Sequence, residues 1–203
     1  NENNVLSDFF KTGTYDRKRE LFITDSPSMD ILVSSNLERL IFEAVCRDGE
    51  KVSNLMQQLN NNGIYVLDEI SKKFLVDFYG NYATKDEIFK DINRLYHEEK
   101  YLMDTHTAVA HTVLRKYKNE SKDYKQSLII ATASPYKFPR SICSALGIDV
   151  KNSSDFQVLN ILNSYTKIPI PENLRNLDSK PILHKAVCKK EDIKKELLSF
   201  LYE

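Results

Sequence analysis

The sequence has no tryptophan, only three cysteines and only five glycines among its 203 residues. The missing tryptophan excludes nothing. Cys46, Cys143 and Cys188 stand far apart, with no Cys-x-x-Cys pair and no even-numbered framework. They read as free thiols of a reducing compartment rather than as a disulfide scaffold. The glycines, at 13, 49, 63, 80 and 147, are too scattered for any two to build the glycine-rich loop that cradles a phosphate. An excess of either charge is also missing, since 29 basic residues balance 29 acidic ones. A nucleic-acid partner, which usually needs a basic excess, is therefore not expected. The longest clearly apolar run, residues 128–133, is far too short to cross a bilayer. Residues 1–5, Asn-Glu-Asn-Asn-Val, do not make a signal peptide. The default expectation is a soluble cytoplasmic protein with no membrane partner.

What is present supports a folded core, because hydrophobic residues make up 41% of the chain. Helical stripes are the main signal. Ser35 and Glu38 have capping-box spacing, followed by Leu37, Leu40, Ile41, Ala44 and Val45 on one face. Val52, Leu55, Met56 and Leu59 repeat the stripe, which should stop near Gly63. Thr84 and Glu87 form a second capping-box pair ahead of Ile88, Phe89, Ile92, Leu95 and Tyr96. Ala108, Val109, Ala110, Val113, Leu114 and Tyr117 predict a well-buried helix. Ile193, Leu197, Leu198 and Leu201 predict an amphipathic last helix.

Strand signals are few. Residues 127–133, Ser-Leu-Ile-Ile-Ala-Thr-Ala, are a short apolar run with β-branched members, the pattern of a parallel strand buried on both faces. Pro135 then pushes Ser134 toward an extended conformation and a turn. Residues 21–24 and 64–67 are weak candidates for its neighbours, so the missing strands are expected upstream of this chain. The expected fold class is α/β: mostly helical, carrying part of a parallel sheet. Prolines 169, 171 and 181 punctuate a loop-rich stretch near the end, but no internal domain boundary is evident.

Ligands of open parallel sheets bind at the carboxyl ends of strands, the position of Thr132, Ser134 and Lys137 here. Hydroxyls and an ammonium there suit a polar or phosphorylated ligand, although turns favour Ser and Thr in any protein. Asp104 or Thr105 is placed to cap a helix, with His106 in its first turn. His97 falls on an exposed helix face, and His111 and His184 have no partners at metal-ligand spacing, so no zinc site is expected. No nucleophile-elbow motif occurs. Residues 12–39 are dense in polar groups without forming a simple surface helix, and Asn36 and Arg39 fall in a first helical turn.

Four of these stretches, in order, resemble the threonine synthase family. They are Asn-Glu-Asn-Asn at 1–4 with Thr-Gly-Thr-Tyr at 12–15, then Ser-Pro-Ser-Met-Asp-Ile at 26–31 leading into Ser-Asn-Leu-Glu-Arg at 35–39. Asp-Thr-His-Thr-Ala-Val-Ala follows at 104–110, where the family has proline in place of Thr105. Thr-Ala-Ser-Pro-Tyr-Lys-Phe-Pro completes the set at 132–139. The resemblance is vague over 51–100 and after Asp149. It implies a pyridoxal-phosphate-dependent enzyme of fold type II, with this chain as the carboxy-terminal part and a contributor to the large cofactor-binding domain. The implied reaction turns O-phospho-L-homoserine and water into L-threonine and phosphate.

In that resemblance Thr132 is the cofactor-binding residue, a neutral hydroxyl facing the pyridine nitrogen. Lys137, Asn1, Asp30, Asn36, Arg39 and His106 are candidates for lining the substrate site. The family's Schiff-base lysine, in a Ser-Phe-Lys-Asp-like motif, has no counterpart here: Phe74 follows Lys73, the wrong order. The upstream part of the same enzyme is thus the expected partner, and the isolated chain is expected to be inactive. A non-catalytic helical interaction module derived from that enzyme is the alternative.

Overall fold

The computed structural model describes residues 1–183 and 185–202. His184 lies outside the described residues. Contacts divide the chain into two units, residues 1–168 and 169–203. The sequence gives no clear sign of this division, which falls at the first proline of the loop-rich stretch.

The first unit begins with helix α1 (Val5–Thr12), closed by Gly13 at φ 70°. Strand β1 (Thr14–Asp16) follows, then a polar loop, helix α2 (Leu37–Ala44), helix α3 (Gly49–Asn62) and strand β2 (Ile64–Val66). β1 and β2 pair antiparallel, with Tyr15 opposite Tyr65. Helices α4 (Glu69–Phe74), α5 (Lys85–Glu99), α6 (Thr105–Ser121), α7 (Pro139–Ala145) and α8 (Asp155–Thr166) complete the unit. The second unit carries helix α9 (Ile193–Tyr202). This is a mostly helical α/β chain with one small sheet.

The main apolar cluster joins Val5 and Phe9 of α1 to Tyr15, Ile41, Leu59 and Tyr65. Tyr15 and Tyr65 stack with ring centroids 5.4 Å apart, and Phe9 meets both rings edge-on or tilted. The aromatic cross-strand pair gives a two-stranded sheet, weak by itself, a packed face.

Local signals often decide where helices start and stop. Thr84 and Glu87 form the reciprocal capping box that starts α5, and Gly63 at φ 72° closes α3. A further capping box, Ser154 with Gln157, starts α8; its Ser-x-x-Gln spacing is visible in the sequence but is not among the expectations above. The expected box of Ser35 and Glu38 does not form. The Glu38 amide, which the Ser35 hydroxyl would have accepted, instead donates to the Ser35 carbonyl at 3.3 Å. The N-cap passes to Asn36, whose side chain makes no capping bond.

Residues 127–133 form no ladder among the described residues, and the one sheet is antiparallel. Leu128 and Ile130 are 86% and 69% exposed. The expected turn after them does form: Ser134 is extended at ψ 144° and its hydroxyl caps a 3-10 turn over Pro135–Lys137. Of the two weak candidates, only Ile64–Val66 becomes a strand, and its partner is β1 rather than residues 127–133. Helix α6 is buried only in part, with Ala108 and Val109 inside and Ala110 exposed. The apolar positions of α9, such as Ile193 and Leu197, are exposed.

α5 and α6 are joined by a buried carboxylate. Asp91 is 1% exposed and accepts from His111 Nδ1 at 2.5 Å, Arg115 at 2.8 Å, Arg94 at 3.0 Å and the Thr112 hydroxyl at 3.2 Å. Burial alone would raise its pKa. The hydrogen bonds from His111 and Arg94, together with the charges of His111 and Arg115, outweigh burial and hold it at about 2 against an ordinary 3.8. A depressed carboxyl contributes stability above its unfolded value and loses it as pH falls toward the folded one. Urea unfolding should therefore show stability declining as pH drops from about 4 to about 2. Asp91→Asn should remove that component and cost about 3–5 kcal/mol at neutral pH, because four donor groups, two of them arginines, lose their charged partner.

Candidate functional site

The polar loop between β1 and α2 is fixed from several sides, and its fixation builds the site. Asn1 and Asn3, just before α1, reach across to it. The Asn1 amide Nδ2 donates to Asp30 Oδ1 at 2.7 Å and to the Thr24 hydroxyl at 2.8 Å. Asn3 holds the backbone of Phe22 at both ends, accepting its N–H at 2.9 Å and donating to its carbonyl at 3.0 Å. Asp30 also accepts from Asn3 Nδ2, the Thr24 amide and the Thr24 hydroxyl. The loop is thereby knotted to the start of α1 although 19–29 residues of sequence separate the partners.

Three more ties reach the other helices. The Ser141 hydroxyl of α7 donates to Asp25 at 2.6 Å, and Lys85 of α5 pairs with the same carboxylate at 2.7 Å. The third tie comes from α6. Asp104 is 1% exposed and caps that helix, accepting the amides of His106 and Thr107. Its Oδ1 lies 3.1 Å from His106 Nδ1, and the Thr107 hydroxyl makes a further short bond to Oδ2. His106 Nε2 lies 3.0 Å from the Ser28 amide. A backbone N–H can only donate, so Nε2 must be the acceptor and Nδ1 carries the proton. The imidazole, 6% exposed, is thus a neutral ring held at both nitrogens.

From His106 the contacts run on to the next motif. The Phe138 ring packs 4.8 Å from the His106 ring, and Lys137 Nζ lies 5.4 Å from the Phe138 ring centre. Tyr136, buried beside them, bonds the Ile168 carbonyl at 2.5 Å and anchors the turn. Asn1 and Asp30 thus bond each other, the loop that carries Asp30 is held two residues away by His106, and His106 packs on Phe138 next to Lys137. Asn36, Arg39 and Thr132 are exposed, and their side chains make no hydrogen bond among the described residues. Sequence reasoning missed Asn3, Thr24, Ser26 and Ser28 as individual positions. Asn3 lies in the motif at 1–4 and Ser26 and Ser28 in that at 26–31, while Thr24 had only the polar density of residues 12–39 as its signal.

The family model for the carboxy-terminal domain of threonine synthase matches residues 107–195. Threonine synthase of Saccharomyces cerevisiae is 31% identical over 194 residues, covering 88% of this chain and 36% of that protein. The chain belongs to the threonine synthase family. Threonine synthase-like 1 of Pongo abelii is 37% identical over 172 residues, covering 83% of this chain and 23% of that protein. The crystal structure of threonine synthase from yeast superimposes with a TM-score of 0.77 at 28% identity, over 98% of this chain and 41% of that one. The pyridoxal-phosphate-bound threonine synthase from Brucella melitensis gives 0.64 at 29% identity, over 82% and 38%. The chain thus spans between about a quarter and two fifths of the relatives it matches.

The described residues fit pyridoxal phosphate in one respect. The uncommitted, exposed hydroxyl of Thr132 suits a ring nitrogen. They offer no evident cradle for the phosphate: the first-turn amides of α3, α4, α5, α6 and α8 are already taken by Asp48, Asp68, Thr84, Asp104 and Ser154. Helices α1, α2 and α7 lack a side-chain cap, yet none follows a glycine-rich loop. No group of three or more His, Cys, Asp or Glu among the described residues is arranged to hold a metal. No described helix is long and apolar enough to cross a membrane.

The imidazole tie is directly testable. His106→Ala should expose the Ser28 amide, and its hydrogen exchange should quicken by about tenfold. This corresponds to losing a hydrogen bond of about 1 kcal/mol or slightly more. Amides in the core of α3 should be unchanged.

Proposed function

We propose that this chain is the carboxy-terminal part of a cytoplasmic threonine synthase, contributing to the cofactor-binding domain of an enzyme that converts O-phospho-L-homoserine and water to L-threonine and phosphate. The observation that carries this reading is the superposition of 98% of the chain on the yeast enzyme. The links from Asn1 to Asp30, from His106 to the Ser28 amide and from His106 to Phe138 support it, since they join separate motifs.

When bound, pyridoxal phosphate supplies the electron sink for proton removal, loss of the γ-phosphate and addition of water at the β-carbon. The chain's own residues hold and orient. Thr132 would offer its hydroxyl to the ring nitrogen, and a neutral partner there does not fix a proton on the ring as a carboxylate would. Lys137 would supply positive charge toward a substrate or cofactor phosphate. His106 would set the Ser28 loop, with its one protonated nitrogen turned toward Asp104 and away from that loop. Asn36 and Arg39 remain candidates for lining the site. The upstream part of the enzyme would bring the Schiff-base lysine and the phosphate loop.

Two measurements test the proposal. The isolated 203-residue chain, supplied with pyridoxal phosphate and O-phosphohomoserine, should release no phosphate above background. In the complete enzyme, Thr132→Ala should lower kcat about 10- to 100-fold, the loss of a hydrogen bond to a charged or developing-charge group. Turnover by the isolated chain, or an unchanged kcat in the variant, would remove the basis for the assignment.

A further inference from the structure

Three consecutive residues of the polar loop divide their contacts. The hydroxyls of Thr24 and Ser26 meet the Asn1 amide at 2.8 Å and 3.1 Å and belong to the knot. Asp25, between them, serves other elements. Its Oδ1 accepts the Ser141 hydroxyl of α7 at 2.6 Å, across 116 residues of sequence, and its Oδ2 pairs with Lys85 Nζ at 2.7 Å. These two ties differ in weight. The Lys85 side chain is 56% exposed, so water screens that ion pair and leaves it weak. The Ser141 bond is short and charge-assisted, the stronger class of hydrogen bond.

Ser141 sits in the first turn of α7, two residues after the motif that carries Thr132 and Lys137. Phe138 welds the 3-10 turn to that helix. Its amide donates to the Pro135 carbonyl at 3.2 Å, and its carbonyl accepts the Ile142 amide at 3.1 Å. The turn with Lys137 and the start of α7 are therefore one hydrogen-bonded piece. Tyr136 anchors the piece to Ile168, and Phe138 packs on the His106 ring. Among the described residues, the Asp25–Ser141 bond is the one direct hydrogen bond between this piece and the polar loop.

We infer that Asp25 is a positioning residue of the proposed enzyme, acting through Ser141 to hold the Lys137 ammonium in a fixed place relative to the polar loop. The role rests on the enzymatic reading, in which Lys137 faces the substrate phosphate. That phosphate is bound before the chemistry starts as well as during it. Misplacing its cation therefore weakens binding more than it slows the chemical step.

Steady-state kinetics of the complete enzyme test the role. Asp25→Ala and Ser141→Ala should each raise KM for O-phosphohomoserine about tenfold, the loss of a hydrogen bond to a charged group, with kcat within about threefold. Asp25→Asn keeps an acceptor for Ser141 and loses only the exposed ion pair, so its KM should stay within about threefold of the wild type. The double Ala variant should be no worse than either single one. On a Lys137→Met background, Asp25→Ala should change nothing further. In the two single Ala variants, hydrogen exchange at the Lys137 and Phe138 amides should quicken while the core of α3 is unchanged. An unmoved KM in both Ala variants, a loss in kcat instead, an Asn variant as impaired as Asp25→Ala, a full effect on the Lys137→Met background, or unchanged exchange at 137 and 138 would each overturn the role and leave the enzymatic reading standing. A wild type without turnover would overturn the enzymatic reading, and this role with it.

Discussion

The buried carboxylate of Asp104 sets the chemistry around it. Removed from water, it must be satisfied by donors, and its own helix supplies them: the amides of His106 and Thr107, the Thr107 hydroxyl and His106 Nδ1. That last bond fixes the imidazole tautomer. Nε2 is left as an acceptor, and the nearest donor is the amide of Ser28, 78 residues away in sequence. A capping interaction of the most local kind therefore determines a tertiary contact. The loop so captured carries Asp30, whose carboxylate gathers Asn1, Asn3 and Thr24. Asp91 repeats the logic between α5 and α6, with arginines in place of amides.

The family's proline gives way here to Thr105, which is completely buried at the first position of α6. Proline suits that position because its missing N–H has no intrahelical partner there. Threonine keeps the N–H and adds a hydroxyl, 3.5 Å from His106 Nδ1. The Asp104 cap is the same in either case, because it acts on the amides of residues 106 and 107. The substitution leaves the tautomer argument intact.

How much was legible follows from the range of each interaction. The Thr84 box and the Asp104 cap act over two or three residues, so they can be read from spacing alone, as can the glycine stop at 63. The Ser35 box failed because a competing acceptor, the Ser35 carbonyl, takes the amide first. β1 was hidden inside a run of polar residues: only Tyr15 points inward, and three residues give no alternation to detect. Residues 127–133 show the opposite failure. Their composition reports a preference for burial, but a strand also needs a neighbour, and composition does not say where it lies. The knot of Asn1, Asn3, Thr24 and Asp30 was out of reach for the same reason. The motifs flagged Asn1 and Asp30 separately, and only the folded chain brings them together.

The candidate site residues divide by whether their polar atoms are already used. Asn1, Asp30 and His106 are saturated by partners within the chain. For any of them to bond a ligand, an internal bond must break first, at a cost of about 1–3 kcal/mol when a buried group is left unpaired. Thr132, Lys137, Asn36 and Arg39 are exposed and pay no such penalty. Under the proposed function, direct contact with substrate and cofactor therefore falls to this second set, and the first set keeps the loops in place. His106, held at both nitrogens, packs on Phe138 beside Lys137, so the saturated group steadies the turn that carries that free ammonium and spares its ordering when a ligand binds.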